Sequence, residues 1–426
     1  MNNLRDKKLL ILGGPRLACE VVQRARELGV YVVVTDYLEA SPAKYMADKS
    51  SMVSTTDVEA VAELIKEEKI DGVLPGFIES MLPYYQQICE KTGLPCYATK
   101  EQIEISSNKL KFKELCKKFD LPVVEEMKVD TDDIDIFCNN GDCPILLKPA
   151  DNTAGRGICI CKNTDELKKG FEYALGFSPA KRVIAEKYME QKEVTIFYTL
   201  QDGNIFLTSV ADRHTKFIEE GKIPLPVAYT FPSEYQDNYI ESLNDRVIEM
   251  FRSMGLQNGI VFIQSFVENG SFTFYEMGYR LTASLEYYIF SRTNRINTLD
   301  LMINYALTGQ MSDFDISTRI NPYFKDWGCN ITFLARPGKI ARIEGVDEIN
   351  NTPGVIKLVL SYVEGETIPE TATATLIQVI ARVFAVSSTK KELLEVMDKV
   401  HNYFKVFSDT GEEMLLPVFD TQGLAV

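Results

Sequence analysis

The chain has 426 residues, of which 46 are Lys or Arg and 61 are Asp or Glu, so its formal charge at pH 7 is −15. That length exceeds what one hydrophobic core usually supports and predicts two or three domains. The acidity disfavours nucleic acid and anionic membranes as partners, because phosphate groups select clustered Lys and Arg.

The cysteine pattern favours a reducing compartment, and the low histidine content argues against two kinds of site. The nine Cys follow no disulfide-framework spacing, and Cys159-Ile-Cys161 fits a pair of buried thiols. Only two His occur, His214 and His401, which argues against a zinc site and a His-based triad. No apolar run reaches the roughly 18 residues of a membrane helix, and the N-terminal run LLIL is too short for a signal peptide. We therefore expect a cytoplasmic protein.

The first hundred residues predict a doubly wound α/β domain. Strand and helix patterns alternate at 7–14, 15–28, 31–36, 58–69 and 71–76. Such alternation predicts a parallel sheet with ligands at the carboxyl ends of its strands. The turn GGPRLA lacks the spacing of a dinucleotide fingerprint, so a ribose-binding role for Asp36 is a minor alternative.

The sequence pattern changes from about residue 101. The predicted elements are a basic helix at 108–119, strands at 143–150, 158–162 and 182–189, helices at 164–175 and 235–254, and hairpins at 192–212 and 262–280. Asp-Gly and Asn-Gly pairs mark the two hairpin turns. The segment 212–235, with three prolines, is predicted to be a long irregular loop. After residue 311 we expect strands at 329–335 and 340–344 and helices at 374–384 and 389–403.

Lys148 is the first candidate for chemistry. It follows three apolar residues on a predicted strand, and an inward-facing ammonium there needs an anion because burying it unpaired is costly. The next segment, 151–157 (DNTAGRG), could donate backbone N–H groups to phosphates, although it is not a P-loop sequence. An edge-strand Lys and an ordinary β-turn are the alternatives.

Three further charged residues leave two readings open at this point. Lys109 either binds phosphate or belongs to a solvated helix face with Lys111, Lys113, Lys117 and Lys118. Glu186 and Glu193 could accept from an exocyclic amine and from ribose hydroxyls, or be surface acids beside Lys187 and Lys192.

Four segments occur in the order typical of the ATP-grasp superfamily: SSNKLKFKELCKKFDLPV, PILLKPADNTAGRGI, VIAEKYMEQKEVTI and VFIQSF…FTFYEMGYR. The chain resembles the biotin carboxylase, carbamoyl-phosphate synthase and amino-acid ligase branch over nearly its whole length. The resemblance implies a pre-ATP-grasp α/β domain at 1–103, a two-lobed ATP-grasp domain at 104–310 with its lid at about 118–187, and a C-terminal α+β closing region at 311–426.

The resemblance also implies an ATP site. Lys109 and Lys148 would contact the phosphates, and Glu193 would hold the ribose. The loop over the triphosphate would include Thr153, Gly155, Arg156 and Gly157. The hinge that meets adenine would be Glu186, Lys187, Tyr188 and Met189.

Magnesium ligands are implied on the hairpin 262–280, where the superfamily carries one acid on each strand. The matching positions are Gln264 and Glu276, and Gly278 stands where Asn is usual. These departures leave open weaker metal binding, a ligand from elsewhere, or lost catalysis. Arg280 matches a catalytic Arg that contacts the substrate or the transferred phosphate, where it would offset developing charge. A purely structural Glu276–Arg280 ion pair is the alternative.

The implied activity is that of an ATP-dependent, ADP-forming ligase with ATP and Mg²⁺ as cofactors. It would activate a carboxylate as an acyl phosphate for attack by an amine or, less favoured, a thiol. Arg213 and Lys216 are candidates for binding a carboxylate-bearing substrate, and a homodimer is possible.

Two alternatives stay open. Carboxyphosphate chemistry loses ground because biotin carboxylase-like members carry a Glu four residues after the active-site Arg, where this chain has Ser284, with Glu286 two residues further on. The other is a nucleotide-binding module without turnover.

Overall fold

The computed structural model describes residues 3–127, 144–150, 157–179, 181–219 and 222–421. Within them the strands form four sheets, one of which is large and antiparallel. No helix in these ranges has the length and apolar character needed to cross a membrane.

The N-terminal sheet is parallel, with the strand order β3-β2-β1-β4. Its strands are β1 Lys8–Leu12, β2 Tyr31–Thr35, β3 Lys49–Ser51 and β4 Gly72–Leu74, and its helices are α1 Ala18–Glu27, α2 Val58–Glu68 and α3 Leu82–Thr92. The α/β prediction is confirmed. Asp36 accepts from the Gly14 and Leu38 N–H groups at 2.8 and 2.9 Å. Its carboxylate therefore holds the turn after β1 together, and both of its oxygens have partners within the fold.

Two helices lead from this sheet into the next region, α4 Lys100–Ser107 and α5 Lys109–Lys118. Asn108 caps α5 by accepting from the Leu110 and Lys111 N–H groups. The cap fixes where the helix begins, and it places Lys109 in the first turn.

A small antiparallel sheet lies within the segment predicted to be the lid, and this sheet with its helix is called the lid lobe. Its order is β5-β8-β6-β7, with β5 Glu126–Met127, β6 Ile145–Pro149, β7 Cys159–Cys161 and β8 Val183–Lys187, and α6 Thr164–Gly176 packs on it. It has its own apolar core, made of Ile145, Leu147, Cys161, Leu167, Ala174 and Ala185. The Sγ atoms of Cys159 and Cys161 are 4.0 Å apart, so the two thiols share one side of the strand, with Cys161 buried and Cys159 partly buried.

The large sheet has eight strands in the order β13-β12-β9-β10-β11-β14-β18-β16. Their bounds are β9 Lys192–Gln201, β10 Asn204–Lys216, β11 Leu225–Phe231, β12 Gly259–Glu268, β13 Ser271–Gly278, β14 Trp327–Leu334, β16 Val355–Leu360 and β18 Val379–Ser387. Both predicted hairpins are present, with Asp202 and Asn269 at positive φ followed by glycine. The predicted boundary near residue 310 falls between strands of this one sheet.

Two structural predictions are wrong. Residues 379–387 form β18 rather than a helix, because this run of β-branched and aromatic residues is hydrogen-bonded between β14 and β16. The segment 212–235 is not one long loop, because residues 212–216 and 225–231 are paired in β10 and β11. Pro226 lies next to a register shift at His214 and Thr215, a position where a strand tolerates a missing N–H donor.

The remaining elements surround these sheets. A three-stranded sheet has the order β17-β15-β19, with β15 Gly338–Glu344, β17 Thr367–Ile368 and β19 Lys405–Ser408. The other helices are α7 Gln236–Tyr239, a π-helical turn Ile240–Asn244, α8 Asp245–Ser253, α9 Tyr287–Thr293, α10 Thr298–Thr308, α11 Val346–Asn350 and α12 Lys390–Tyr403. One continuous apolar core joins Leu10 of the parallel sheet, Phe274 of the large sheet and Ile303 of α10.

Candidate active site

A cavity of about 1170 Å³ lies between the lid lobe, the large sheet and the first turn after β4. Most of the residues singled out in the sequence line it: Lys109, Lys148, Glu186, Lys187, Tyr188, Met189, Glu193, Arg213, Lys216, Gln264, Glu276 and Arg280. Gly157 is described but does not line the cavity. Thr153, Gly155 and Arg156 lie outside the described residues.

Gly157 occupies a position that only glycine fits. Its φ is +76°, and a Cβ there would lie 2.5 Å from the Phe177 Cβ and 2.7 Å from a Pro149 ring carbon. The backbone after the predicted phosphate loop therefore runs directly against the end of β6.

Lys148 and Glu186 form a buried ion pair on adjacent strands of the lid. The Lys148 Nζ lies 2.6 Å from one Glu186 oxygen, and the Nζ of Lys113, on α5, bonds the other. Burial lowers the pKa of Lys148. Burial would raise the pKa of Glu186, but the two ammonium groups hold it below its usual value. The Glu186 side chain is thus committed to cations, so the predicted contact of this segment with adenine would have to come from its backbone.

Lys113 also lies 3.3 Å from a Glu126 oxygen, and Lys109 adds a third ammonium group near Lys148 at this end of the cavity. Lys113 is 3% exposed, although a solvated helix face is one of the two interpretations that the sequence allows for this run of Lys. Its spacing of four residues from Lys109 puts both on one helix face, a signal that could have found it.

Glu193 and Arg213 face each other across β9 and β10 and form an ion pair. Tyr275 donates its hydroxyl to the same carboxylate at 2.7 Å, and Arg213 Nε donates to the Tyr229 hydroxyl at 3.3 Å. The predicted ribose-binding acid is therefore held in one orientation. Arg213 is partly committed to it, which weakens the prediction that this Arg binds a substrate carboxylate.

Gln264 and Glu276 lie directly opposite each other on the hairpin, as their predicted shared role requires. The Lys109 Nζ is 4.0 Å from a Glu276 oxygen. Arg280 does not pair with Glu276. It donates through Nε and Nη2 to one oxygen of Glu79, at 3.1 and 2.9 Å. Glu79 begins a short 3₁₀ helix in the N-terminal region, and no local motif marked it in the sequence.

The structure explains Gly278. It pairs with Phe262 across the hairpin, and a Cβ at 278 would lie 2.4 Å from two atoms of the Phe262 ring. The Arg280 guanidinium lies 5.2 Å from the centre of the same ring. The space that a side chain at 278 would need is filled by an aromatic ring that supports the predicted catalytic Arg.

The donor set on the hairpin fits a magnesium ion that ATP holds in large part. Glu276 offers a carboxylate and Gln264 an amide oxygen, the ligand type that Mg²⁺ takes while keeping several waters. Across the described ranges no group of three His, Cys, Asp or Glu side chains could hold a metal by itself.

Two family models match this chain. Residues 108–293 match the ATP-binding domain of the carbamoyl-phosphate synthase L chain, and residues 9–94 match the PylC-like N-terminal domain. Among curated proteins, the formate-dependent phosphoribosylglycinamide formyltransferase of Histophilus somni is 30% identical over 215 residues, which cover 49% of this chain and 54% of that protein. The chain spans about half the length of the curated relatives it matches.

Solved structures share the fold over almost the whole chain. The biotin carboxylase domain of Hydrogenobacter thermophilus 2-oxoglutarate carboxylase, solved with MgADP and bicarbonate, has a TM-score of 0.75 at 19% identity and covers 96% of this chain and 91% of that one. The L-amino acid ligase of Bacillus licheniformis has a TM-score of 0.74 at 17% identity, covering 95% and 99%.

Proposed function

We propose, from the premise that this chain has the ATP-grasp fold with an ATP-binding domain of the carbamoyl-phosphate synthase L chain family, that it is an ADP-forming ligase. It joins a small-molecule carboxylate to an amine, or to a thiol, through an acyl phosphate. The observation that carries the proposal is the arrangement of Lys109, Lys148, Glu193, Glu276 and Arg280 around one cavity.

The reaction takes two displacements. A carboxylate oxygen attacks the terminal phosphorus of ATP, and the bond to the ADP oxygen breaks. The amine nitrogen then attacks the acyl carbon, loses a proton, and phosphate leaves. The chain contributes position and charge, as phosphoryl transfer requires, and no side-chain nucleophile is needed.

Each residue has a place in this scheme. Lys148 and Lys109 offset the phosphate charge, Glu193 holds the ribose and the hinge backbone meets adenine. Mg²⁺, when bound by Glu276 and Gln264, would offset charge on the phosphates. Arg280 stabilises charge on the transferred group, for which its contact to Glu79 has to loosen or be shared.

Carboxyphosphate chemistry is the second candidate, since one structural neighbour was solved with bicarbonate. Thr282, Ala283 and Ser284 line the cavity, whereas Glu286 is buried behind them, and burial raises the pKa of its carboxyl group. This placement of the nearest acid after Arg280 favours the ligase.

The test is ADP formation from MgATP in the presence of pooled amino acids, of formate, or of bicarbonate, with Lys148→Ala as the inactive control. ADP formation that depends on amino acids or formate supports the ligase, and ADP formation that depends on bicarbonate supports carboxyphosphate chemistry. If the protein binds nucleotide but forms no ADP in any pool, it is a nucleotide-binding module without turnover.

A further inference from the structure

Arg382 is a buried cation at the centre of the large sheet. It lies on β18, between β14 and β16, and is 6% exposed. It is the one charged residue in a strand that otherwise reads VIA-VFAVS. A guanidinium in such a place needs an anion or several acceptors, because burying it without them is costly.

The described residues supply the Arg382 guanidinium with very few hydrogen-bond acceptors and with no close anion. Arg382 donates from Nη1 to the Thr332 hydroxyl at 2.6 Å, and Thr332 is its direct partner across β14. Among the described residues no carboxylate oxygen lies within 4.0 Å of the guanidinium, whereas Arg213 and Arg280 each have one. Burial lowers the pKa of Arg382. Its Nε and Nη2 donors have N–H bonds that run parallel. Among the described residues, neither donor has an acceptor.

Glu286, the acid that acts electrostatically on Arg382, is a poor counter-charge. Glu286 acts on Arg382 only through space, and burial raises the pKa of Glu286. One of its oxygens has no hydrogen-bond partner and the other accepts from Thr282. Arg213 adds like charge.

Arg382 also lines the cavity. Its electrostatic neighbours there are Tyr229 and Arg213, whereas Lys148 is influenced by Lys113, Lys109 and Glu186. The cavity thus has two cationic regions with different neighbours. Leu376 and Phe419 add apolar wall to the cavity beyond the ATP-binding set.

We propose that Arg382 binds an anionic group, a carboxylate or a phosphate, on the substrate that shares this cavity with ATP. The group is not the reacting one, and it accepts from the parallel Nε–H and Nη2–H donors. The inference rests on the proposed function, in that the ligand is taken to be a ligase substrate. It accounts for why a strand of this composition carries an Arg.

The test compares Arg382→Met with wild type and with Arg336→Met, a change at an exposed Arg beyond the end of β14. Succinate and inorganic phosphate are titrated calorimetrically into protein saturated with MgADP. We expect one probe to bind about tenfold or more weakly to Arg382→Met than to wild type. Arg336→Met should match wild type, and the MgADP affinity should stay within about twofold in all three. The probe that is lost identifies the group as carboxylate or phosphate.

Arg382→Lys keeps the charge without the fork, so it should fold and retain part of the affinity if the Met variant is unstable. Equal binding of both probes by wild type and Arg382→Met overturns the inference, as does a wild type that binds neither. If ADP forms in one of the substrate pools but both probes bind equally to Arg382→Met and to wild type, the proposed ligase function stands and this inference fails. If the probes require Arg382 but no pool elicits ADP, the ligase fails instead.

Discussion

Lys148 is the residue on which nucleotide binding should depend most. Lys148→Ala removes a buried cation from the predicted phosphate end of the cavity, while Glu186 keeps Lys113 of α5 as its ion-pair partner. We expect MgATP affinity to fall by about 100-fold with little loss of folding stability. Calorimetric titration measures it. Lys111→Ala is the control, because it removes a Lys of α5 whose side chain is exposed and paired to Glu104. Unchanged affinity in Lys148→Ala would contradict the site.

Asp212, which also lines the cavity, should make stability depend on pH. Burial raises its pKa from 3.8 to about 6, partly opposed by bonds from the Ser233 hydroxyl and the Glu234 N–H. A carboxyl group with a raised folded pKa stabilises the fold below its unfolded pKa, and that contribution is lost as pH rises through about 6.

The Asp212→Asn variant should therefore be more stable than wild type by about 2 kcal/mol near neutral pH, with the difference vanishing below about pH 4. Urea denaturation across that pH range measures it. Asp409→Asn, at an exposed turn, should show no such dependence. A constant difference between Asp212→Asn and wild type at all pH values would rule out this titration.

The hairpin β12–β13 shows how one element sets the site. The sequence revealed the hairpin through its alternation and its Asn-Gly turn, and the family resemblance assigned Gln264 and Glu276 to its two strands. That they lie opposite each other depends on a register shift between Gln264 and Ser265, which the sequence did not reveal. It could not reveal why residue 278 is glycine, because that depends on the side chain of Phe262 across the strand pair. The error at β18 has the same origin: a short apolar run suits helix and strand equally until its neighbours are known.

At this hairpin, Gly278→Ala should destabilise the protein by about 1–3 kcal/mol, because the added Cβ overlaps the Phe262 ring. Combining it with Phe262→Ala should cost less than the sum of the two single changes. Gly176→Ala is the control, since a Cβ there meets no atom within 4 Å. Additive costs in the double variant would show that the two positions do not compete for space.

Across the whole molecule, the lid should open separately from the rest. Its core of six buried side chains is distinct from the main core. We expect amides of β6, β7 and α6 to exchange with deuterium faster than those of β9 and β12, and MgADP to slow them. Mass spectrometry of peptides from these elements measures it, with Lys148→Ala as the variant that MgADP should not protect. Lid exchange as slow as that of the central strands would contradict a separate opening.

The N-terminal region has no such independence. The Gly72 backbone packs so closely on α10 that a Cβ there would lie 2.1 Å from the Ala306 carbonyl oxygen, and Arg24 bonds Asp300 of the same helix at 2.5 and 2.7 Å. Such contacts join residues far apart in the chain. The pattern of strands and helices predicted the architecture, but the Arg280–Glu79 and Lys113–Glu186 pairs depend on tertiary packing, which local patterns do not encode. The domain bounds at 103 and 310 stay a prediction for the same reason.

The order of strands in the large sheet affects how the chain can fold during its synthesis. β11 pairs on one side with β10 and on the other with β14, which follows it by about a hundred residues. A ribosome that has released only the first three hundred residues would expose β11 as a bare edge, with a row of unsatisfied backbone groups and apolar side chains. Chains terminated near residue 300 should therefore aggregate or bind chaperones, instead of forming a smaller working nucleotide-binding unit.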